Sequence, residues 1–598
     1  MEEGLTIRTS SSRSGFLLIS YVAIASAFLF SVWINQRGYQ DAGILDGIFI
    51  PTAIFVVVSV FVEVFAEDIR LTAVVAAIFL VSLNLVPGLK YQLFYGCYDS
   101  VAHYGYVQSL VSLGHVPLTG FYAPAYSDTP GMHILIGSFS LVSGISVNDV
   151  LRFVMPAMYG IFPLVVFFIT RDILDRTVQR FIIIVSSFPL VGILGYALSG
   201  TTLGLMLFVL FLAYLFRRMS SGKRGFTIAL LVLSFALTIS HGVTSFFLSL
   251  ILGTAAFVLA FLKSVGASFP NRAQVYAYVT TFTLLITLVM AWWSYKATLY
   301  LTSIAAVLQK VFASESSGQL IPNRFFEIPL WAQLRILLVA YSGYLVMMIA
   351  SLIGILLLVK MVRRGQLGQK TKDFYLHLTL LASIILGAIL IQFVIGLGGI
   401  GYDRFLCYAA VLSPFLVGLV FWRLNKCLAV ASRKWAANTV IAIIFLVLLL
   451  VCLIQAFPYE PLIPKANVLS QTLPEDEPLV DIRATNTIYK VKLISFAEAY
   501  SSPDSRIASD TVTRFQMYGF SSASFYSRNM YFSPLESPGL DWTLLLLQTN
   551  DKAGPFNEKA EYHTQEHIDE FRTAGNVVYD NGLSIIVVRP PYIGSHNP

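Results

Sequence analysis

Long apolar runs alternate with short polar segments over the first 456 residues of the chain. Each run is about 20 residues long, the length that an α-helix needs to cross the hydrocarbon core of a bilayer. The pattern predicts spans at 15–34, 47–66, 71–89, 153–170, 181–199, 201–216, 226–240, 243–262, 274–292, 336–359, 374–397, 406–422 and 437–456. We therefore expect a polytopic α-helical membrane protein with about 13 transmembrane helices.

The pattern changes after Ala456. In the segment 457–598, short β-like runs alternate with charged residues and prolines, which is typical of a water-soluble domain. The dipeptide Asn581-Gly582 separates two β-branched runs and predicts a hairpin near the end of the chain. We expect two domains, a transmembrane domain over 1–456 and a C-terminal α/β soluble domain over 457–598.

Composition and charge support this division and give it an orientation. The hydrophobic fraction is 56% and the charged fraction 12%, so the chain cannot cover a water-facing surface of this size. The net charge of +7 indicates topology rather than a nucleic-acid partner, because Lys and Arg concentrate in alternate loops. These basic residues are Arg171, Arg176, Arg180, Arg217, Arg218, Lys223, Arg224, Lys360, Arg363, Arg364, Lys370, Lys372, Arg423, Lys426, Arg433 and Lys434. Retention of basic loops in the cytoplasm predicts a multi-pass protein of the cell membrane with a cytoplasmic N-terminus and an extracytoplasmic tail.

On this topology, two long loops face outward, 90–152 and 293–335. In the first loop, apolar spacing predicts a surface helix over Asp99–Leu113 that places Asp99 and His103 on one face. A second short helix is expected to start near Asp128, capped by that residue or by its neighbour, and to continue through His133.

Two interpretations of these polar residues stay open. Asp99 is either a helix N-cap, a functional acid, or both, while Asp128 is a cap or a ligand of substrate. His103 and His133 are either hydrogen-bonded structural histidines or substrate ligands. The position of Asp99 favours function, since an acid at the membrane boundary is costly without a partner or a task.

The order of these residues resembles the first extracytoplasmic loop of the GT-C superfamily. Asp99 and His103 are followed by Gly-x-x-Pro at 114–117 and Pro-Gly-x-His at 130–133. Those proteins are membrane glycosyltransferases that take a sugar from a polyprenyl phosphate, and the layout of many spans before an outer domain is similar to that of oligosaccharyltransferase-like and mannosyltransferase-like members. The resemblance implies that Asp99 is the catalytic base or holds the acceptor. One departure is that two helices precede the matching span, where the family usually has none.

Three further residues lie at outer helix ends. Asp403 and Arg404 follow a glycine run and precede a span. A guanidinium at this position can bind a lipid-linked phosphate, as the resemblance also implies. The alternative is that Arg404 extends to the lipid head groups and pairs with Asp403. His241 either lines the cavity for lipid phosphate or acceptor, or caps a tight helical turn. Cys97 and Cys407 are either bridged or simple apolar fillers.

The sequence makes no firm prediction of a cofactor. The outer loops contain no Asp-x-Asp motif and no glycine-rich phosphate loop, which favours a lipid-phosphate donor over a nucleotide sugar. We expect chemistry without a metal, but a divalent ion stays possible because Asp99, Asp128 and Asp403 form a pool of ligands.

The sequence thus predicts a membrane glycosyltransferase that moves a sugar from a polyprenyl-phosphate donor to a hydroxyl of a glycan, lipid or protein on the outer face. Asp99 is the expected base and inversion the expected outcome. The alternative is a transporter or flippase of lipid-linked glycans, although no internal repeat is evident in the sequence. An assembly protein whose spans only anchor the tail is a third alternative.

Overall fold

The computed structural model describes residues 2–34, 49–66, 68–90, 99–117, 127–188, 200–221, 224–266, 269–298, 300–302, 330–395, 402–431 and 434–456, with residues 494, 498–499, 507–509, 530–532, 544–548, 576–580 and 584–588 of the tail. The side chains of Asp99, Asp403 and Arg404 lie outside the described residues, although the backbone of each belongs to a described helix.

Fifteen helices make up the described part of 1–456. They are α1 Glu2–Ile34, α2 Phe49–Phe65, α3 Ile69–Lys90, α4 Asp99–Leu113, α5 Gly131–Ser143, α6 Val147–Thr170, α7 Arg176–Ser186, α8 Gly200–Ser221, α9 Arg224–Ser240, α10 Gly242–Ser264, α11 Arg272–Tyr295, α12 Leu330–Arg363, α13 Gln369–Ile395, α14 Tyr402–Ala431 and α15 Lys434–Ala456. Helix α6 is a composite that contains the π-helical turn Val150–Val154.

Within the described residues, 10 helices are long and apolar enough to cross a membrane, so the expected number of about 13 is not confirmed. Two expected spans, α2 and α9, are helices of 17 residues each. A third, 181–199, appears as α7, which has 11 residues and ends at Ser186, while 189–199 lies outside the described residues. An α-helix rises 1.5 Å per residue, and 17 residues therefore reach only about 25 Å of a hydrocarbon core about 30 Å thick.

Helix α6 packs tightly along α3 from the middle of that helix to its last turn. A Cβ at Gly160 would approach the backbone nitrogen of Val81 to 2.6 Å, which shows how closely the two helices meet. Near the start of α6, the guanidinium of Arg152 donates to the carbonyl of Gly88 through Nε at 3.1 Å and Nη2 at 2.7 Å. These contacts fix the last turn of α3 before the chain continues toward α4.

The basic loops share one end of the helix bundle. Arg217 donates to Asp172, and Thr371 Oγ1 donates to the carbonyl of Ile173 at 3.0 Å. At the same end, Gln274 Nε2 donates to Asp373 Oδ2 at 3.1 Å. The predicted clustering of basic loops is therefore present in the fold, and we call this end the basic end.

The described strands of the tail form one five-stranded sheet. They are β1 Ile507–Ser509, β2 Met530–Phe532, β3 Leu544–Gln548, β4 Asn576–Asp580 and β5 Ser584–Val588, in the order β2-β1-β3-β5-β4. Strand β1 runs parallel to β2 and β3, whereas β5 is antiparallel to β3 and β4. The antiparallel β4–β5 pair is the predicted hairpin, and the complete α/β domain stays a prediction.

Candidate functional site

Helices α4 and α5 build the first loop. Helix α4 has the predicted bounds, begins at Asp99, and stops before Gly114, which adopts a positive φ of 72°. The expected cap on α5 is wrong, because the helix begins at Gly131 with Pro130 at the N-cap and without a side-chain hydrogen bond. Of the two polar residues before Pro130, Asp128 instead contacts Trp292 at the end of α11, and Thr129 contacts Tyr300, which follows that helix.

The two histidines of the first loop contact each other directly. His103 Nδ1 lies 2.9 Å from His133 Nε2, and both side chains are buried. Tyr106 packs its ring edge-on against His133 with centroids 4.7 Å apart, and its hydroxyl donates to the carbonyl of Pro117 at 2.9 Å. The contact therefore joins α4 to α5 through a buried polar pair.

Burial keeps this pair neutral. Desolvation lowers the pKa of His103 to about 3, and desolvation together with the neighbouring His103 lowers the pKa of His133. Two neutral imidazoles share one N–H in their hydrogen bond, so the tautomer of one ring determines the tautomer of the other. The pair can thus present one donor and one acceptor nitrogen at its two far sides.

Asp128 is held against the end of α11. Its carbonyl accepts a hydrogen bond of 2.8 Å from Trp292 Nε1, and its side chain is buried. Burial raises the pKa of the Asp128 carboxyl, while the positive charge of Lys296 opposes this effect. The adjacent Thr129 Oγ1 lies 3.5 Å from the hydroxyl of Tyr300. The first loop is therefore fastened to the segment that begins the second loop.

His241 caps α10, as one of the two sequence interpretations predicts. Its Nδ1 accepts from the backbone N–H of Thr244 at 3.2 Å and lies 2.6 Å from Thr244 Oγ1. The same Oγ1 lies 2.6 Å from the hydroxyl of Tyr408 on α14. Because Nδ1 accepts, the network assigns Tyr408 O–H as donor to Thr244, Thr244 O–H as donor to His241, and the ring proton to Nε2.

Close backbone approaches bring these groups together. A Cβ at Gly131 would come within 2.4 Å of Ser240 Oγ, and one at Gly242 would lie 3.0 Å from Trp293 Nε1 and 3.3 Å from the ring of Tyr300. Trp292 stands 20 positions after the first residue of α11, about 30 Å along the helix and therefore at the end opposite the basic end. His103, Asp128, His133 and His241 thus converge at this end, and together with Thr129, Ser240, Thr244, Trp292, Tyr300 and Tyr408 they form what we call the polar cluster.

Sequence reasoning missed several members of the polar cluster. Trp292, Thr244 and Tyr408 lie in apolar helices, where an aromatic or hydroxyl residue carries no distinctive pattern. Tyr408 has one available signal, since it stands four positions after Arg404 and therefore on the same face of α14.

Helix α14 begins at Tyr402, so its first turn carries Asp403 and Arg404. An apolar cavity of about 250 Å³ lies beside this turn and is lined by α12, α13 and α14, including Tyr344, Leu386 and Leu406. Cys407 is buried with Sγ 3.7 Å from the hydroxyl of Tyr344, whereas Cys97 lies outside the described residues. The predicted alternatives for these two cysteines therefore stay open.

The described side chains contain no group of three or more His, Cys, Asp or Glu that could hold a metal ion. Asp128 belongs to the described set, but the side chains of Asp99 and Asp403 do not. The possible divalent ion stays an expectation.

Comparison with solved structures finds similar chains at low sequence identity. The chain is similar to the oligosaccharyltransferase AglB from Archaeoglobus fulgidus in complex with an inhibitory peptide and a dolichol-phosphate, at 12% identity over 80% of this chain and 69% of that one, with a TM-score of 0.49. It is also similar to ArnT from Cupriavidus metallidurans bound to undecaprenyl phosphate, at 10% identity over 88% and 98% of the chains, with a TM-score of 0.46. No protein-family model and no curated protein matches the sequence.

Proposed function

We propose that the chain is a membrane glycosyltransferase that transfers a sugar from a polyprenyl-phosphate donor to an acceptor hydroxyl at the outer face. The observation that carries this proposal is the convergence of His103, Asp128, His133 and His241 at one end of the bundle. Polar and ionisable groups gathered at a membrane boundary, rather than along the bilayer midplane, suit chemistry at the surface better than translocation.

Asp99 is the proposed base. It begins α4 one turn before His103, and burial fixes the neutral His103–His133 pair. A carboxylate at this position removes the proton of the acceptor hydroxyl as that oxygen attacks the anomeric carbon. Because a single displacement occurs at that carbon, the product has inverted configuration.

The donor phosphate is proposed to lie at the start of α14. The N-terminus of a helix favours anions, and Arg404 adds a permanent positive charge in the first turn. The neighbouring cavity of about 250 Å³ is lined almost entirely by apolar side chains, which suits part of a polyprenyl tail. Tyr408 lies one turn after Arg404, and its contact with Thr244 and His241 connects the start of α14 to the rest of the polar cluster. This connection helps to position the leaving phosphate.

The proposal is tested by sugar transfer with purified protein, labelled polyprenyl-phosphate sugars and crude membrane acceptors. We expect transfer by the wild type and a loss of about 10²-fold to 10⁴-fold in the Asp99→Asn variant. Asp175→Asn is a matched control, because Asp175 caps α7 near the basic end and Asn caps helices equally well.

The assay distinguishes the role of Asp99 from the transferase activity itself. Full activity of a folded Asp99→Asn variant would contradict the role of Asp99 as base. Absence of transfer from every donor, together with movement of labelled lipid across liposomes, would instead favour the flippase.

A further inference from the structure

A second apolar recess adjoins the polar cluster at Trp292. It is a groove of about 280 Å³ between α9 and α11, lined by Phe235, Thr238, Leu288, Ala291, Trp292 and Tyr295. Phe235 is 51% exposed and Tyr295 is 88% exposed, so the groove opens onto the outer surface of the helices. On a chain that spans a membrane, such a surface faces lipid. We call this recess the α9–α11 groove.

The inner wall of the α9–α11 groove belongs to the polar cluster. Trp292 lines the groove with its ring, and its Nε1 donates to the carbonyl of Asp128 at 2.8 Å. The groove also begins one turn below Ser240, the residue that contacts the start of α5. An apolar chain in this groove would therefore end beside the polar cluster.

One positive charge at this mouth, that of Lys296, can attract an anionic head group. Lys296 directly follows the groove residue Tyr295, is exposed, and is the charged residue that acts on the Asp128 carboxyl. A lysine at the end of a span lies at the depth of lipid head groups, where it attracts negative charge. Asp128 supplies a hydrogen-bond acceptor for a hydroxyl close to that charge.

The two apolar recesses flank one polar cluster. The α12–α14 cavity adjoins the turn that carries Arg404, and the hydrogen bonds of Tyr408, Thr244 and His241 lead from there into the cluster. Through Tyr300 and Trp292 the same cluster reaches the α9–α11 groove. A donor lipid and an acceptor lipid that both enter from the membrane need such an arrangement, because the donor sugar and the acceptor hydroxyl must meet at one place.

We propose that the acceptor is an anionic membrane lipid that carries a head-group hydroxyl, with one hydrocarbon chain in the α9–α11 groove and its head group beside Lys296 and Asp128. This inference rests on the proposed function and names its acceptor. In the reaction, the hydroxyl oxygen bonds to the anomeric carbon while the bond from that carbon to the phosphate oxygen breaks. The hydroxyl proton passes to Asp99, and the polyprenyl phosphate leaves with the bonding electron pair.

The first test compares acceptors with the full-length protein in nanodiscs. The probes are phosphatidylglycerol, which is anionic and has free hydroxyls, the water-soluble head group glycerophosphoglycerol, hydroxyl-containing peptides, and a total lipid extract. With the lipid acceptors, we expect a labelled glycolipid that separates from the unreacted polyprenyl-phosphate sugar by thin-layer chromatography. Transfer only to the water-soluble acceptors would overturn the inference while leaving the proposed function intact. Absence of transfer to every acceptor would instead overturn the proposed function itself.

The second test fills the groove. Ala291→Trp places a large ring in the α9–α11 groove, and we expect KM for the lipid acceptor to rise about tenfold while KM for the donor stays unchanged. Ala260→Trp on α10 is the matched control, because Ala260 is also exposed and lies near the basic end. An unchanged acceptor KM in a folded Ala291→Trp variant would show that ordinary bilayer lipid fills the groove and would overturn the inference.

A charge variant distinguishes recognition of the lipid head group from binding of its hydrocarbon chain. Lys296→Gln removes the positive charge, and we expect transfer to phosphatidylglycerol to fall while transfer to uncharged diacylglycerol changes little. Equal effects on both lipids would contradict the assigned anionic head group.

Discussion

His103 Nδ1 and His133 Nε2 lie 2.9 Å apart between the two helices of the first loop. The contact joins residues 30 positions apart in the sequence, and it is buried from solvent. Burial disfavours a positive charge on either ring, and two imidazolium groups would offer donors on both sides and repel each other. The first loop therefore depends on the protonation state of this pair.

We predict that acid destabilises the protein through this pair. The folded state lowers the pKa of His103 from 6.5 to about 3, so the unfolded chain binds a proton that the folded chain excludes between these values. The stabilising contribution is complete above pH 6.5 and is lost as the pH falls toward 3. For His103 alone, the free energy of unfolding should fall by about 2 kcal/mol from pH 7.5 to pH 5. Thermal unfolding in detergent across this range measures the effect.

The control for this prediction uses another histidine of the same loop. The His103→Gln variant should show a weaker dependence of stability on pH, together with a lower stability at pH 7.5 because the hydrogen bond between the two imidazole rings is lost. His115→Gln should leave both unchanged, since His115 is exposed. Equal pH profiles for wild type and His103→Gln would contradict the assignment.

We predict that Gly131→Ala reduces activity by disturbing the start of α5. The new Cβ would come within 2.4 Å of Ser240 Oγ and 3.0 Å of Ser240 Cα, so α5 must shift relative to α9. A displacement near 1 Å in a catalytic site can cost about 10²-fold in rate. Gly387→Ala in α13 is the control, because a Cβ there has no atom within 4 Å among the described residues. Loss of activity in both variants alike would argue against a specific contact.

We predict that Tyr408→Phe weakens the coupling between α14 and the polar cluster. The substitution removes the hydroxyl that lies 2.6 Å from Thr244 Oγ1, at an expected cost of about 1 kcal/mol in the free energy of unfolding. Because Tyr408 lies one turn after Arg404, we also expect KM for the lipid-phosphate donor to rise. Tyr276→Phe, at an exposed position of α11, provides the control. Steady-state kinetics with varied donor decide the outcome.

The orientation of the chain predicts the accessibility of one thiol. Cys427 is exposed near the basic end of α14, whereas Cys407 and Cys452 are buried. In a Cys97→Ser background, a membrane-impermeant maleimide should label Cys427 in inside-out vesicles and leave it unlabelled in intact cells. A further Cys427→Ser change should abolish the signal. Labelling in intact cells would reverse the predicted topology.

Local sequence signals predicted much of the fold. The bounds of α4 follow from apolar spacing and from Gly114, whose positive φ ends the helix, and the β4–β5 pair follows from its turn residues. The number of spans was less predictable, since hydropathy alone does not distinguish a helix of 17 residues from a longer one that crosses completely. The predicted cap of α5 was also wrong, because Asp128 contacts Trp292 of α11 and Thr129 contacts Tyr300 after that helix, rather than the first turn of α5.

The sequence by itself determined that this chain is a membrane protein, which loops carry its basic residues, and which ionisable residues lie at helix ends. These features depend on composition and on contacts between near neighbours in the chain. Only the tertiary structure decided that His103 meets His133, that Tyr408 reaches His241 through Thr244, and that Trp292 separates a lipid-facing groove from Asp128. Such contacts join residues 30 to 164 positions apart. They are set by the packing of helices against one another, which no local pattern of apolar and polar residues encodes.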